Sequence, residues 1–107
     1  MGRVKSSFVE PLMTAREVAK YLLKSCKSLR RFESFMFGSS LLGVGIDFDI
    51  LIVGPSGKPL SRLKAELRLA GKDLPLDVLY MLPAEAEETR FVRRQKCVTL
   101  AQLAGLD

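Results

Sequence analysis

Two segments of the chain repeat apolar residues at helical spacing, and we predict both as amphipathic helices. Residues 14–29 begin with Thr-Ala-Arg-Glu, a capping-box pattern, and continue with apolar residues at helical spacing. The second segment ends before Gly71, a good C-terminal stop, and keeps its apolar side chains on one helical face. The apolar residues of that face are Leu60, Leu63, Leu67 and Ala70.

Three further segments are dominated by apolar residues and are predicted as strands of a buried sheet. They are residues 32–37, 47–53 and 76–82. Gly38 ends the first strand, and residues 39–42 can form a single helical turn. Residues 43–45, Gly-Val-Gly, break that turn before the second strand, and residues 54–57, Gly-Pro-Ser-Gly, form a loop after it.

The remaining C-terminal part has a weaker pattern. Residues 84–95 are polar and predicted to be helical, whereas residues 97–100 fit either a short edge strand or the start of a last turn. Because no interdomain linker interrupts the chain, residues 1–107 are predicted to form a single domain. The order of elements predicts an α/β (α+β) fold, in which helices pack against a small mixed sheet of three to four strands.

Two aspartates interrupt the second predicted strand. Side chains alternate along a strand, so Asp47 and Asp49 point to the same side while Phe48 and Ile50 point into a core. Two like charges side by side are costly unless a cation lies between them. A hard divalent ion such as Mg²⁺, which prefers carboxylate oxygens, is the natural candidate.

A third aspartate, Asp77, lies near the start of the next predicted strand. If the two strands are neighbours and share this face, all three carboxylates converge. Such a cluster suits two Mg²⁺ ions, which can stabilise the attacking and leaving oxygens of an in-line phosphoryl displacement. Phosphoryl transfer needs mainly positioning and charge compensation, so it requires no histidine.

The turn after the first strand can supply a phosphate-binding element. Unpaired backbone N–H groups at the start of a short helix can hold a phosphate, and Gly38 lets the backbone approach it closely. A Gly-Ser pair alone more often marks an ordinary turn. The alternative for the carboxylates is that Asp47 and Asp49 cap a loop at the strand entry and that Asp77 acts as a cap or pairs with a nearby lysine.

The amino-acid composition excludes some kinds of catalytic and metal site. The chain contains no histidine, and its two cysteines, Cys26 and Cys97, are far apart in sequence, which excludes a Cys/His zinc site and catalysis by histidine. No apolar run approaches the ~20 residues of a membrane span, and no apolar signal core follows the N-terminus, so we expect a cytoplasmic protein without membrane contact.

The formal net charge is +5, but the Lys and Arg residues are spread along the chain. A solvated basic surface is therefore a simpler interpretation than nucleic-acid binding. Basic residues around an acidic site would also help to collect a nucleoside triphosphate. The acidic cluster Glu85, Glu87, Glu88 is interpreted as solvated helix surface. For the basic cluster Arg90, Arg93, Arg94, Lys96 a solvated helix surface is the simpler interpretation, and contact with phosphate or a partner is the alternative.

Together these residues resemble the DNA polymerase beta-like nucleotidyltransferase superfamily. The resemblance consists of Phe37-Gly38-Ser39, then Asp47-Phe48-Asp49-Ile50, then the later strand residue Asp77, and covers residues 32–82. Within the superfamily the chain looks most like the minimal nucleotidyltransferases, small bacterial proteins often paired with a HEPN-domain toxin.

This resemblance implies roles for individual residues. Asp47, Asp49 and Asp77 would bind metal and carry catalysis, and Gly38, Ser39 and Ser40 would bind the triphosphate. The implied activity is Mg²⁺-dependent transfer of a nucleoside monophosphate, AMP from ATP, to a hydroxyl acceptor. Because the chain has no room for a separate acceptor domain, the acceptor is expected on a partner protein such as a HEPN-type toxin.

An alternative function within the same fold is an antitoxin that acts by forming a complex with its partner. Two departures from the family pattern favour it: the spacer from Ser39 to Asp47 is shorter than usual, and Ser40-Leu41 replaces the arginine often found after Gly-Ser. Oligonucleotide synthetases and antibiotic-modifying transferases are disfavoured by length, because each needs additional helical structure. The sequence leaves the nucleotide, the acceptor and the oligomeric state open, including a homo-oligomer.

Overall fold

The computed structural model describes residues 13–42, 47–72 and 74–106. Their strands form one four-stranded sheet in the order β3-β2-β1-β4. β1 is antiparallel to β2 and β4, whereas β2 and β3 are parallel and are connected by a helix. The strands are β1 (Glu33–Phe37), β2 (Phe48–Val53), β3 (Leu76–Met81) and β4 (Val98–Thr99). The predicted mixed α/β fold is therefore confirmed.

In the described residues, five α-helices and two 3₁₀ turns accompany the sheet. The helices are α1 (Ala15–Ser25), α2 (Lys58–Ala70), α3 (Pro83–Thr89), α4 (Phe91–Arg94) and α5 (Leu100–Ala104). The 3₁₀ turns are Lys27–Arg31, which follows α1, and Gly38–Leu42, here called the Gly-Ser turn. In the part of the chain described here, no helix is both long and apolar enough to cross a bilayer.

The main core lies on one face of the sheet. Here α1, α2 and α5 pack against the apolar side chains of β1 and β2, and Ile50 of β2 is fully buried as the strand alternation predicts. The fully buried residues of this core include Val18, Leu22, Met36, Leu63 and Leu100. Continuous burial of this kind provides the larger part of the hydrophobic stabilisation of a small domain.

A smaller core covers part of the opposite face. Phe35, Leu51 and Val53 are buried there beneath side chains of α3 and α4. The covering does not extend over the whole face, since Leu79 of β3 remains 39% exposed. The uncovered part of this face contains the beginnings of β2 and β3.

The first predicted helix is shorter than expected. The chain leaves α1 at Ser25 and continues as the 3₁₀ turn Lys27–Arg31 instead of remaining α-helical to residue 29. The Ser28 N–H and hydroxyl both donate to the Glu66 carboxylate, at 3.0 and 2.8 Å. These bonds to α2 hold the turn in a direction that a continuous helix would not allow.

The predicted helix over residues 84–95 is two short helices. Arg90 adopts a left-handed conformation with φ 52°, which separates α3 from α4. The break turns Phe91 towards the smaller core, where its ring makes an edge-to-face contact with Phe37 at 5.1 Å between centroids. Of the two predictions for residues 97–100, the edge strand is confirmed, and Thr99 then caps α5 by accepting from the Gln102 N–H.

Candidate functional site

The sheet register places two of the predicted aspartates side by side. Asp49 of β2 is the register partner of Asp77 of β3 in the parallel pair. Neighbouring strands are about 4.8 Å apart, and side chains in register share one face. Asp49 and Asp77 both lie on the sheet face that carries the smaller core, at the uncovered end of that face. Asp47 is exposed and directly precedes β2.

The three carboxylates influence one another electrostatically. Partial burial raises the pKa of Asp49 above its usual value, and the carboxylates of Asp77 and Asp47 raise that pKa further. Asp49 is thus the central member of the group, and the two exposed aspartates flank it. The ionised group has a strong local preference for a cation.

The Gly-Ser turn packs directly against Asp49. Phe37, the last residue of β1, pairs in register with Asp49, and Gly38 follows with a left-handed φ of +79°. A Cβ atom at Gly38 would lie 2.7 Å from Asp49 Oδ2, so only glycine fits here without displacing the carboxylate. The predicted phosphate-binding turn and the predicted acidic strand are therefore in contact.

Ser40 holds the turn against β2. Its side chain is buried, and its hydroxyl donates to the Phe37 carbonyl at 3.0 Å and accepts from the Asp49 N–H at 3.3 Å. The sequence predicted Ser40 as a triphosphate ligand, but its hydroxyl is engaged within the protein. Ser39 is exposed, and it is the serine of this pair whose side chain remains accessible to a ligand.

We expect Ser40→Ala to lower the free energy of unfolding by about 1–2 kcal/mol, because it removes an acceptor of the Asp49 N–H and a donor to the Phe37 carbonyl. Ser39→Ala, at an exposed position, should change that free energy by no more than about 0.5 kcal/mol. Urea unfolding followed by circular dichroism measures both values. Equal effects of the two substitutions would contradict the positioning role of Ser40.

The donor set is suited to a hard cation. All three candidate ligands offer carboxylate oxygens, which Mg²⁺ prefers over nitrogen and sulfur. Within residues 13–42, 47–72 and 74–106, however, no group of three or more Asp, Glu, Cys or His side chains is arranged as a ready metal site. The register joins Asp49 to Asp77, and the predicted three-carboxylate metal site remains a prediction.

Other residues considered in the sequence lie away from this group. The side chains of Glu85, Glu87 and Glu88 are exposed, as are those of the basic residues from Arg90 to Lys96. Cys26 is buried, and burial raises the pKa of its thiol to about 11, with a further contribution from Glu66, so it is an unreactive core residue. The predicted Gly-Val-Gly break at residues 43–45 lies outside the described residues.

Phe91 is a structural residue of the site that the sequence prediction missed. Its ring contacts Phe37, the last residue of β1 before the Gly-Ser turn, and so anchors α4 on the aspartate face. The available signal was the apolar pair Phe91-Val92 within an otherwise polar segment. A fully solvated helix has no reason to carry such a pair.

Comparison of the chain with protein-family models, with curated proteins and with solved structures finds no match. The resemblance to nucleotidyltransferases therefore rests on the residues of the Gly-Ser turn and the three aspartates.

Proposed function

We propose that this chain is a magnesium-dependent nucleotidyltransferase that transfers AMP from ATP to a hydroxyl group of an acceptor. The observation that carries the proposal is the contact of Gly38 with Asp49, combined with the register of Asp49 and Asp77. These two features put the Gly-Ser turn beside paired carboxylates on a partly open face, an arrangement that supports binding of a triphosphate and its cation. Few structural roles would favour three aspartates around such a turn.

The chain's own residues have separate tasks in this reaction. The backbone N–H groups of the Gly-Ser turn bind the triphosphate, and the exposed Ser39 hydroxyl adds a further donor. Asp49 and Asp77, with Asp47, would hold Mg²⁺, which neutralises the charge that develops on the phosphate oxygens. Asp77 is exposed, so it can orient the acceptor hydroxyl and accept its proton.

The proposed reaction needs no reactant other than ATP and the acceptor. The acceptor oxygen forms a bond to the α-phosphorus of ATP, and the bond from that phosphorus to the bridging oxygen of the β-phosphate breaks. Pyrophosphate leaves with the electron pair, and the acceptor proton goes to the carboxylate. We propose that the acceptor lies on a partner protein, with a HEPN-type toxin as the candidate the resemblance suggests.

Labelled ATP tests the proposal directly. The chain is incubated with Mg²⁺, with the protein encoded beside it and with ATP labelled at either the α- or the γ-phosphate. We expect label to reach the partner from α-labelled ATP only, because a γ-label would leave with pyrophosphate. Transfer of γ-label would instead indicate a kinase, and no Mg²⁺-dependent transfer of either label would contradict the enzyme.

An antitoxin that acts through complex formation is the second candidate. It is favoured by the short spacer before Asp47 and by Ser40-Leu41 at the position of the usual arginine. Calorimetry separates the two functions. A pure binding protein should bind its partner tightly and show no Mg²⁺-dependent binding of ATP, whereas the enzyme should bind ATP only when Mg²⁺ is present.

A further inference from the structure

Two elements that are distant in sequence form one strongly basic surface. The turn Lys27–Arg31 packs against α2, and Ser28 bonds to Glu66 across this contact. We call the exposed cations of the turn, together with those on the side of α2 that adjoins it, the basic surface. They are Lys27, Arg30, Arg31, Lys58 and Arg62. Lys64 and Arg68 lie on the other flank of α2, where the Lys64 ammonium group is 4.9 Å from the centre of the Tyr80 ring.

The turn Lys27–Arg31 and α2 carry most of the chain's net charge. The two elements contain seven of the 17 Lys and Arg residues and one of the 12 Asp and Glu residues. The rest of the chain, with ten cations and eleven carboxylates, is close to neutral. Both oxygens of the single carboxylate, Glu66, accept hydrogen bonds from Ser28. Five of the seven cations belong to the basic surface, although the turn and α2 are far apart in sequence.

A cleft at the centre of the surface is lined by three of these cations. Arg31, Lys58 and Arg62 surround it together with Ser28 and Pro59, and its volume is about 210 Å³. The guanidinium groups can each bind a phosphate through two parallel hydrogen bonds, and the ammonium group adds a point charge. The lining therefore matches the chemistry of a phosphate group.

The cleft lies at the opposite end of the sheet from the aspartates. The turn Lys27–Arg31 leads into Glu33, which pairs with Val53 near the start of α2, whereas Phe37 pairs with Asp49 at the other end of the same strands. Four residues of strand separate the two pairs by roughly 13 Å. The basic surface is consequently too distant to collect the triphosphate for the proposed active site.

We propose that the basic surface binds the phosphate backbone of a double-stranded nucleic acid. Lys58 and Arg62 lie one helical turn apart on α2, beside the three cations of the turn Lys27–Arg31, so the surface can contact several neighbouring phosphates. Neither element contains an aromatic residue on which unpaired bases could stack. The aromatic anchors typical of a protein interface are missing for the same reason. This binding is independent of the proposed nucleotidyl transfer.

The test measures binding of fluorescein-labelled 20-bp duplexes of RNA and of DNA by anisotropy, without ATP or Mg²⁺. The variant carries Arg31→Gln, Lys58→Gln and Arg62→Gln, all at exposed positions. We expect its affinity to fall at least tenfold in about 0.1 M salt, because three phosphate contacts are lost. The slope of log affinity against log salt concentration should become less steep by about 2 to 3.

The matched control carries Arg16→Gln, Lys20→Gln and Arg93→Gln, which are exposed residues outside the basic surface. It removes the same number of positive charges, but none of them belongs to the basic surface, so it should retain nearly all of the affinity. Thermal unfolding of both variants verifies that each is folded. Equal loss in the two variants, tighter binding of single strands than of duplexes, or tighter binding of polyglutamate or anionic vesicles would overturn the proposal. The RNA and DNA arms identify which duplex is preferred.

Discussion

Asp49→Asn is expected to abolish nucleotidyl transfer and to make the folded chain more stable. Transfer should fall at least about 10³-fold, because the amide cannot provide the charge that would hold the proposed Mg²⁺ between β2 and β3. The amide has almost the same shape as the carboxylate, so the Gly38 contact and the sheet register should remain. Loss of activity would then reflect chemistry and not a change of fold.

The stabilisation follows from the pKa of Asp49. Burial, and then the carboxylates of Asp77 and Asp47, raise that pKa above its ordinary value of 3.8 in the folded chain. The folded state therefore binds this proton more tightly than the unfolded state does. The free energy of unfolding should fall as the pH rises from about 3.8 through the raised pKa, and it should stay lower at neutral pH.

Replacing Asp49 by asparagine removes this cost, so we expect the free energy of unfolding to rise at pH 7 without Mg²⁺. Urea titrations between pH 3.5 and 7 measure it, and label transfer from α-labelled ATP measures the activity. Glu33→Gln is the matched control, since it removes an exposed carboxylate from the other end of the same strands. A destabilised Asp49→Asn, or one that keeps a tenth of the activity, would contradict the assignment.

Gly38→Ala should lower both the stability and the activity. The left-handed φ of +79° costs an alanine about 1–2 kcal/mol, and its Cβ would overlap Asp49 Oδ2. We expect the free energy of unfolding to fall by about 2–4 kcal/mol in total, and the overlap accounts for the part beyond the backbone cost. Displacement of the carboxylate or of the turn should reduce transfer about 100-fold.

Gly105→Ala is the control for the cost of the left-handed backbone conformation alone. Gly105 has nearly the same φ, +77°, but its added Cβ would meet only the flexible end of Arg16, at 3.3 Å. In this variant the free energy of unfolding should fall by about 1–2 kcal/mol, and the transfer activity should remain unchanged. Thermal unfolding and the label-transfer assay compare the two. If Gly38→Ala lowered the stability and the activity no more than Gly105→Ala does, the contact between the Gly-Ser turn and the Asp49 carboxylate would contribute to neither.

The strands and the acidic pair were predictable because each depends on a pattern within one short segment. Apolar runs indicate buried strands, and alternation assigns Asp47 and Asp49 to one side. The pairing of Asp49 with Asp77 was predictable only on the condition that β2 and β3 are neighbours. Two parallel strands joined by a helix commonly are neighbours, and the structure meets that condition.

The parts that the sequence did not predict depend on contacts between distant segments. The Ser40 hydroxyl bonds to Asp49, which is nine residues away across a turn. The break at Arg90 follows from the docking of Phe91 on Phe37. The basic surface combines residues 27–31 with α2, about thirty positions further along the sequence. The spacing of charges along the chain does not indicate that these two elements pack together.

The division of the sheet into a fully covered face and a partly open one affects how readily this protein can change its role. The core built by α1, α2 and α5 contains none of the three aspartates, so substitutions at these positions leave its packing intact. Since burial and the neighbouring carboxylates raise the pKa of Asp49, we expect its loss to carry no penalty in folding. If the chain is the proposed enzyme, a single nucleotide change at the Asp49 codon would leave a well-folded protein without transferase activity, and selection for activity alone would keep the carboxylate in place.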